Sequence, residues 1–104
     1  METIVTNDNF EALIGGDKPM LLDFYADWCG PCRQIMPYIA SLAEEYSDRA
    51  VIARCNVDDC PEIAARYGVR NIPTVLFIKD GDVKNKMVGA ATKTQFEEAL
   101  KAIL

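Results

Sequence analysis

The sequence predicts an α/β fold, a central mixed sheet of five strands flanked by four helices on its two faces. Three observations carry this. Short apolar, strand-like runs alternate with segments of helical period along all 104 residues. A helix separates each of the first three strands from the next, and such crossovers make neighbouring strands parallel. An Asp80-Gly81 pair between two extended segments then adds an antiparallel hairpin.

The elements follow in order. Ile4 and Val5 form a short first strand. A helix runs from about Asp8 to Ile14, with Asp8 and Glu11 as a cap-like start and Gly15-Gly16 as its stop. Met20 to Ala26 is an apolar run broken by one acid, Asp23, and reads as a buried strand. The next helix starts after Cys29 and runs to about Tyr46, with Ile35, Ile39, Leu42, Ala43 and Tyr46 on its inward face. Pro31 suits the first turn, where no N–H partner is lost, whereas Pro37 lies inside and is expected to kink the helix. Ala50 to Val57 is another buried strand, and Asp59-Cys60-Pro61-Glu62 opens a helix that closes at Tyr67-Gly68. Thr74 to Lys79 and Val83 to Val88 are the hairpin strands. Thr92 with Gln95 makes a capping box, and Phe96, Ala99, Leu100 and Ile103 give the last helix one apolar stripe. No repeat, linker or low-complexity segment interrupts the chain, so residues 1–104 read as a single domain with one core.

Composition excludes several chemistries. The chain has no histidine, which removes Ser/His and Cys/His nucleophile pairs and His-ligated zinc or haem. Eleven basic against sixteen acidic residues give a net charge of −5, with no basic run, which argues against a nucleic-acid partner. Apolar stretches such as Thr74 to Ile78 are too short to cross a bilayer, so no membrane association is expected. The first residues, Met1-Glu2-Thr3-Ile4-Val5-Thr6-Asn7-Asp8, carry neither a basic region nor a long apolar core. The expectation is a cytoplasmic protein, in which cysteine pairs are more often catalytic or metal-binding than structural.

The informative segment is Asp23-Phe24-Tyr25-Ala26-Asp27-Trp28-Cys29-Gly30-Pro31-Cys32. Two cysteines three apart at a strand-to-helix junction can close a small disulfide ring with little chain movement. Cys29 sits at the helix start, partly exposed, where unpaired N–H groups and the helix dipole favour its thiolate. Cys32 lies one turn inside, less exposed, placed to attack a mixed disulfide at Cys29. Two alternatives stand beside this redox reading. Cys55 and Cys60 would complete a four-cysteine zinc or iron–sulfur set, although their spacing departs from common ribbons and Cys55 falls in an apolar strand. Inert buried thiols are the other.

Trp28-Cys29-Gly30-Pro31-Cys32, with Asp23 six residues before Cys29, Pro37 five after Cys32 and Ile72-Pro73-Thr74 downstream, resembles the thioredoxin family over essentially the whole chain. The resemblance implies a thioredoxin domain over residues 1–104, layered α/β/α. It implies a monomeric protein-disulfide reductase that maintains cell redox homeostasis and binds no cofactor. Its electrons would come from NADPH through a flavoprotein thioredoxin reductase, and its other partners would be disulfide-containing client proteins. Cys29 matches the attacking thiol and Cys32 the resolving thiol of a redox-active disulfide. Asp23 matches a buried acid that helps move the proton of the second cysteine, and burial is expected to raise its pKa. Pro73 matches a cis-proline facing the cysteines. Trp28, Gly30, Pro31, Ile72, Pro73, Val88 and Gly89 fall where the family has its substrate groove.

Four departures accompany the match. Tyr25 stands where many bacterial members have tryptophan, and Asn71 where glycine is frequent. Arg54 replaces a common lysine near the buried acid. An arginine is never neutral, so Asp23 is expected to be held more firmly ionised. Cys55 reads as a packed hydrophobe. Cys60, in the first turn of a helix yet beside Asp58, Asp59 and Glu62, reads as either a spectator or a regulatory thiol. Two other functions remain: a non-catalytic binding subunit on the same fold, and an oxidase or isomerase of secreted proteins. Oxidising relatives often place histidine between the two cysteines, whereas Gly30-Pro31 leaves the thiolate unstabilised and favours the reducing direction.

Overall fold

Three of the four helices begin at a proline or a side-chain cap. In the computed structural model, which describes Met1–Leu104, the order is β1 (Thr3–Ile4), α1 (Phe10–Ile14), β2 (Met20–Tyr25), α2 (Gly30–Glu45), β3 (Val51–Asn56), α3 (Pro61–Arg66), β4 (Thr74–Lys79), β5 (Asp82–Val88) and α4 (Lys93–Lys101). The strands lie in the order β1-β3-β2-β4-β5. β1 and β2 run parallel to β3, while β4 is antiparallel to both β2 and β5. Asp80 and Gly81 both adopt positive φ, 54° and 80°, which is the backbone a two-residue hairpin turn requires.

Several boundaries differ from the sequence expectation. Asp8 does not cap α1. The N-cap is Asn9, and its side chain instead closes a reciprocal pair with Thr6: Thr6 N donates to Asn9 Oδ1 at 2.8 Å and Asn9 N to Thr6 Oγ1 at 3.1 Å. That local turn consumes the polar groups and delays the helix to Phe10. α3 likewise starts one residue later than expected, with Cys60 as N-cap and no side-chain cap bond. α2 continues through Pro37 to Glu45, held on its inward side by Ile35, Ile39, Leu42 and Ala43. The predicted capping box of α4 is formed in full, Thr92 and Gln95 each bonding the other's backbone N–H.

Strand alternation divides the core in two. Leu21, Ile52, Val75 and Phe77 pack against Ile35, Ile39 and Leu42 of α2 and Phe96 and Leu100 of α4. Met20, Leu22, Phe24, Ala53, Cys55, Leu76 and Ile78 face the other way, onto Phe10 of α1 and Ile63 and Ala64 of α3. Every one of these is buried, so a truncation such as Leu21→Ala would cost about 3 kcal/mol. The packed sheet is the rigid platform on which the end of β2 presents α2.

Candidate active site

The site begins where β2 ends. Two residues beyond Tyr25 the chain turns back, Cys29 N donating to Ala26 O at 3.2 Å, and α2 starts at Gly30 with Cys29 as its N-cap. Cys29 has the extended φ and ψ of a cap residue, and its Sγ accepts the N–H of Cys32 at 3.2 Å. A sulfur at that position faces the unpaired N–H groups of a 16-residue helix, which favour negative charge. The two cysteines are joined in a disulfide, their Cα atoms 5.3 Å apart. Pro31 occupies the first turn and is exposed, as is Gly30. A Cβ added at Gly30 would meet nothing within 4 Å, so glycine there leaves the surface over the disulfide open instead of relieving a clash.

Cys29 is less accessible than the sequence indicated. Only 4 % of it is exposed, against 1 % of Cys32, because Ala26, Tyr25, Val57 and Ile72 pack around the pair. Its Sγ nevertheless lies 3.7 Å from the carbonyl oxygen of Ile72, on the far side of the sheet's end. The Ile72-Pro73 peptide bond is cis, in agreement with the resemblance. Gly89 N donates to Pro73 O at 2.8 Å, with Gly89 at φ 93°, and Val88 is in register with Thr74, so both border the same edge. Trp28 is 69 % exposed beside the cysteines, and Val88 is exposed as well. Trp28, Gly30, Pro31, Ile72, Pro73, Val88 and Gly89 are thus brought to one end of the sheet around Cys29.

Asp23 is placed behind this surface, fully buried on β2 and in register with Arg54 of β3. Arg54 Nε donates to Asp23 Oδ2 at 3.4 Å, and its guanidinium stacks over the Tyr25 ring at 3.8 Å. Burial pushes the Asp23 carboxyl up from 3.8 to about 6, and Arg54 offsets only part of that rise. Arg54 thus acts in the expected direction, favouring the ionised acid, but removal from water outweighs it, and Asp23 Oδ1 accepts no hydrogen bond. Arg54 and Cys32 line the same cavity of about 340 Å³, together with Tyr25, Ala26, Asp27, Arg33 and Met36.

A family model described as Thioredoxin matches residues 2–102. The chain belongs to the thioredoxin family. It is 46 % identical over 96 residues to a thioredoxin of Chlorobaculum thiosulfatiphilum, covering 91 % of this chain and 89 % of that one. A thioredoxin of Alicyclobacillus acidocaldarius is 40 % identical over 100 residues, covering 96 % and 95 %. Among solved structures, one concerned with thiol resolution in a yeast mitochondrial 1-Cys peroxiredoxin via glutathione/thioredoxin systems superposes with a TM-score of 0.87 at 35 % identity, covering 97 % of this chain and 94 % of that one. Like other thioredoxins, this one is a thiol–disulfide oxidoreductase that reduces protein disulfides.

Cys55 and Cys60 lie in the second core cluster, away from Cys29 and Cys32, and no group of three or more Cys, Asp or Glu side chains is placed to hold a metal. Cys60 is 2 % exposed, its thiol donating to the Val5 carbonyl at 3.9 Å. Two residues in the neighbourhood escaped the sequence reading. Asp58 accepts the indole N–H of Trp28 at 2.9 Å, and Glu2 lies 3.5 Å from Arg54 Nε. Only the sheet register and the loop after β3 bring them there; neither belongs to a local motif.

Proposed function

We propose that the chain works as a monomeric cytoplasmic reductant of client proteins, with Cys29 attacking, Cys32 resolving and Asp23 taking the proton of Cys32. The observation that carries this reading is the helix-start sulfur of Cys29, set 3.7 Å from the Ile72 carbonyl and beside the exposed Trp28. In the reduced chain the Cys29 thiolate attacks one sulfur of a client disulfide. A Cys29–client bond forms, the client's S–S bond breaks, and the departing sulfur takes up a proton. Cys32 then gives its proton to Asp23, and its thiolate attacks Cys29 Sγ. The Cys29–Cys32 bond forms, the Cys29–client bond breaks, and the second client sulfur leaves. Two electrons pass to the client.

Trp28, Gly30, Pro31, Ile72, Pro73, Val88 and Gly89 would hold an extended client segment, its backbone pairing with the chain at Ile72. Electrons would return from NADPH through a flavoprotein thioredoxin reductase. A net charge of −5 favours neither nucleic acid nor anionic lipid, and no helix is long and apolar enough to cross a membrane. The test is insulin-disulfide reduction with NADPH and a thioredoxin reductase, with the redox potential equilibrated against glutathione. Catalytic turnover and a potential below that of glutathione are expected. No dithiol-dependent turnover would turn the site into a binding surface, and a potential well above glutathione would make the chain an oxidant.

A further inference from the structure

Parallel pairing places Arg54 between two acids. Ile4 of β1 and Asp23 of β2 are both in register with Arg54 of β3, so Glu2, two residues before Ile4, shares the face on which Arg54 and Asp23 point. The one Nε of Arg54 is 3.4 Å from Asp23 Oδ2 and 3.5 Å from Glu2 Oε2, while Nη2 has no hydrogen-bond partner. Arg54 is itself buried, and Glu2 keeps about a fifth of its side chain in solvent, at 22 %. A proton acceptor must alternate between charged and neutral forms. When Asp23 is neutral, a guanidinium that served it alone would be left as an unpaired buried charge, which folded proteins disfavour strongly.

We propose that Glu2 is a positioning residue for the proton-transfer step: it shares the Arg54 guanidinium with Asp23, so the arginine keeps a counter-charge whichever form Asp23 takes. The inference rests on Asp23 as proton acceptor and extends it to the edge of the sheet. With both acids ionised the three groups carry one net negative charge, and with Asp23 protonated they are neutral. Removing Glu2 would turn the second state into an isolated cation and penalise it. The sign follows: without Glu2, Asp23 holds its proton less well and becomes a weaker base. The other groups near Asp23 do not reverse this. β4 sets the apolar Val75 opposite it, β3 adds the neutral thiol of Cys55, Tyr25 stacks on the guanidinium, and Asp27 and Arg33 border the cavity beyond Arg54.

The experiment follows the side-chain carboxyl carbon of Asp23 by NMR titration of the full chain in the disulfide form, where neither Cys29 nor Cys32 titrates. Glu2→Gln is expected to move the Asp23 midpoint down by about half a pH unit, the scale of a partly exposed ion pair, and Glu2→Asp to restore it. The acid limb of single-turnover mixed-disulfide resolution should move the same way. An unmoved midpoint in Glu2→Gln, or an equal shift in the charge-retaining Glu2→Asp, overturns the proposal. Asp23→Asn tested for the same resolution step judges the role of Asp23 separately, because the titration reads Glu2 whether or not Asp23 serves the chemistry.

Discussion

Cys29 and Cys32 are 4 % and 1 % exposed, Cys55 and Cys60 0 % and 2 %, yet only the first pair is set up for exchange. Accessible area does not separate the two pairs; backbone placement does. Cys29 caps a long helix, its sulfur accepting an N–H, with its partner one turn on and the cis Ile72-Pro73 bond beside it. The adjoining Trp28 and Gly30 open onto solvent, so a client can reach the sulfur by covering an exposed rim. Cys55 lies mid-strand among Met20, Phe24 and Ile78, and Cys60 precedes a helix of only six residues, its thiol turned inward to Val5. Burial pushes the Cys55 thiol up to about 12, with the neighbouring Cys60 adding to it. A thiol becomes a nucleophile where the backbone stabilises its anion and a path leads to it.

The largest effect expected from this contrast is at Cys29. Cys29→Ser should lower insulin reduction by roughly a thousandfold or more, whereas the Cys55→Ala/Cys60→Ala double variant keeps turnover within about twofold. Appreciable dithiol-dependent turnover in Cys29→Ser would break the comparison. Asp23→Asn comes next, and should slow mixed-disulfide resolution by roughly a hundredfold while leaving formation of the mixed disulfide intact. Unchanged single-turnover rates would exclude it from the proton path.

The same substitution has a stability signature. The Asp23 carboxyl is held at about 6 in the folded chain against 3.8 for an ordinary aspartate, chiefly by burial. The folded state binds the proton more tightly, so its relative stability is full below 3.8 and is lost as pH rises through about 6. Above that window the difference amounts to about 3 kcal/mol. Asp23→Asn, with Glu2 still facing Arg54, is therefore expected to melt at a higher temperature than the native chain at pH 7.5 and to converge with it near pH 4. Parallel melting curves across that range would show that burial does not penalise the Asp23 charge.

Most of the fold was legible because its signals are local: the Asp80-Gly81 turn, the Thr92–Gln95 box and the apolar stripe of α2 each specify their element without help from distant residues. α1 misled because two capping patterns overlap, and the Thr6–Asn9 turn outcompetes Asp8. The cysteine ring was legible from its spacing. The sign of the Asp23 shift followed from its apolar neighbours, but the weight of Arg54 did not, since that depends on a 3.4 Å contact across two strands. Asp58 and Glu2 carry no pattern at all, because only the assembled sheet brings one to Trp28 and the other to Arg54.

Trp28 sharpens the contrast from the side of access. It is 69 % exposed, and its indole is tied to Asp58. Trp28→Ala removes little packed surface from the core, so melting should hardly change, while KM for a protein disulfide rises about tenfold, as loss of an aromatic docking group predicts. A drop in kcat with unchanged KM would move Trp28 from docking to orientation of the disulfide.

The smallest effect belongs to the second pair. Cys60→Ala deletes a thiol in a tight cluster and its weak contact to the Val5 carbonyl, and should cost about 1 kcal/mol of stability with no change in turnover. Brief treatment of the reduced native protein with a thiol reagent should label Cys29 and leave Cys55 and Cys60 untouched until denaturant is added, since Cys55 is ionised only far above neutrality and both side chains are enclosed. Labelling at Cys60 under native conditions would require the segment between β3 and α3 to open on its own. The inward thiol would then be a modification site, and the two pairs would differ in rate alone and not in kind.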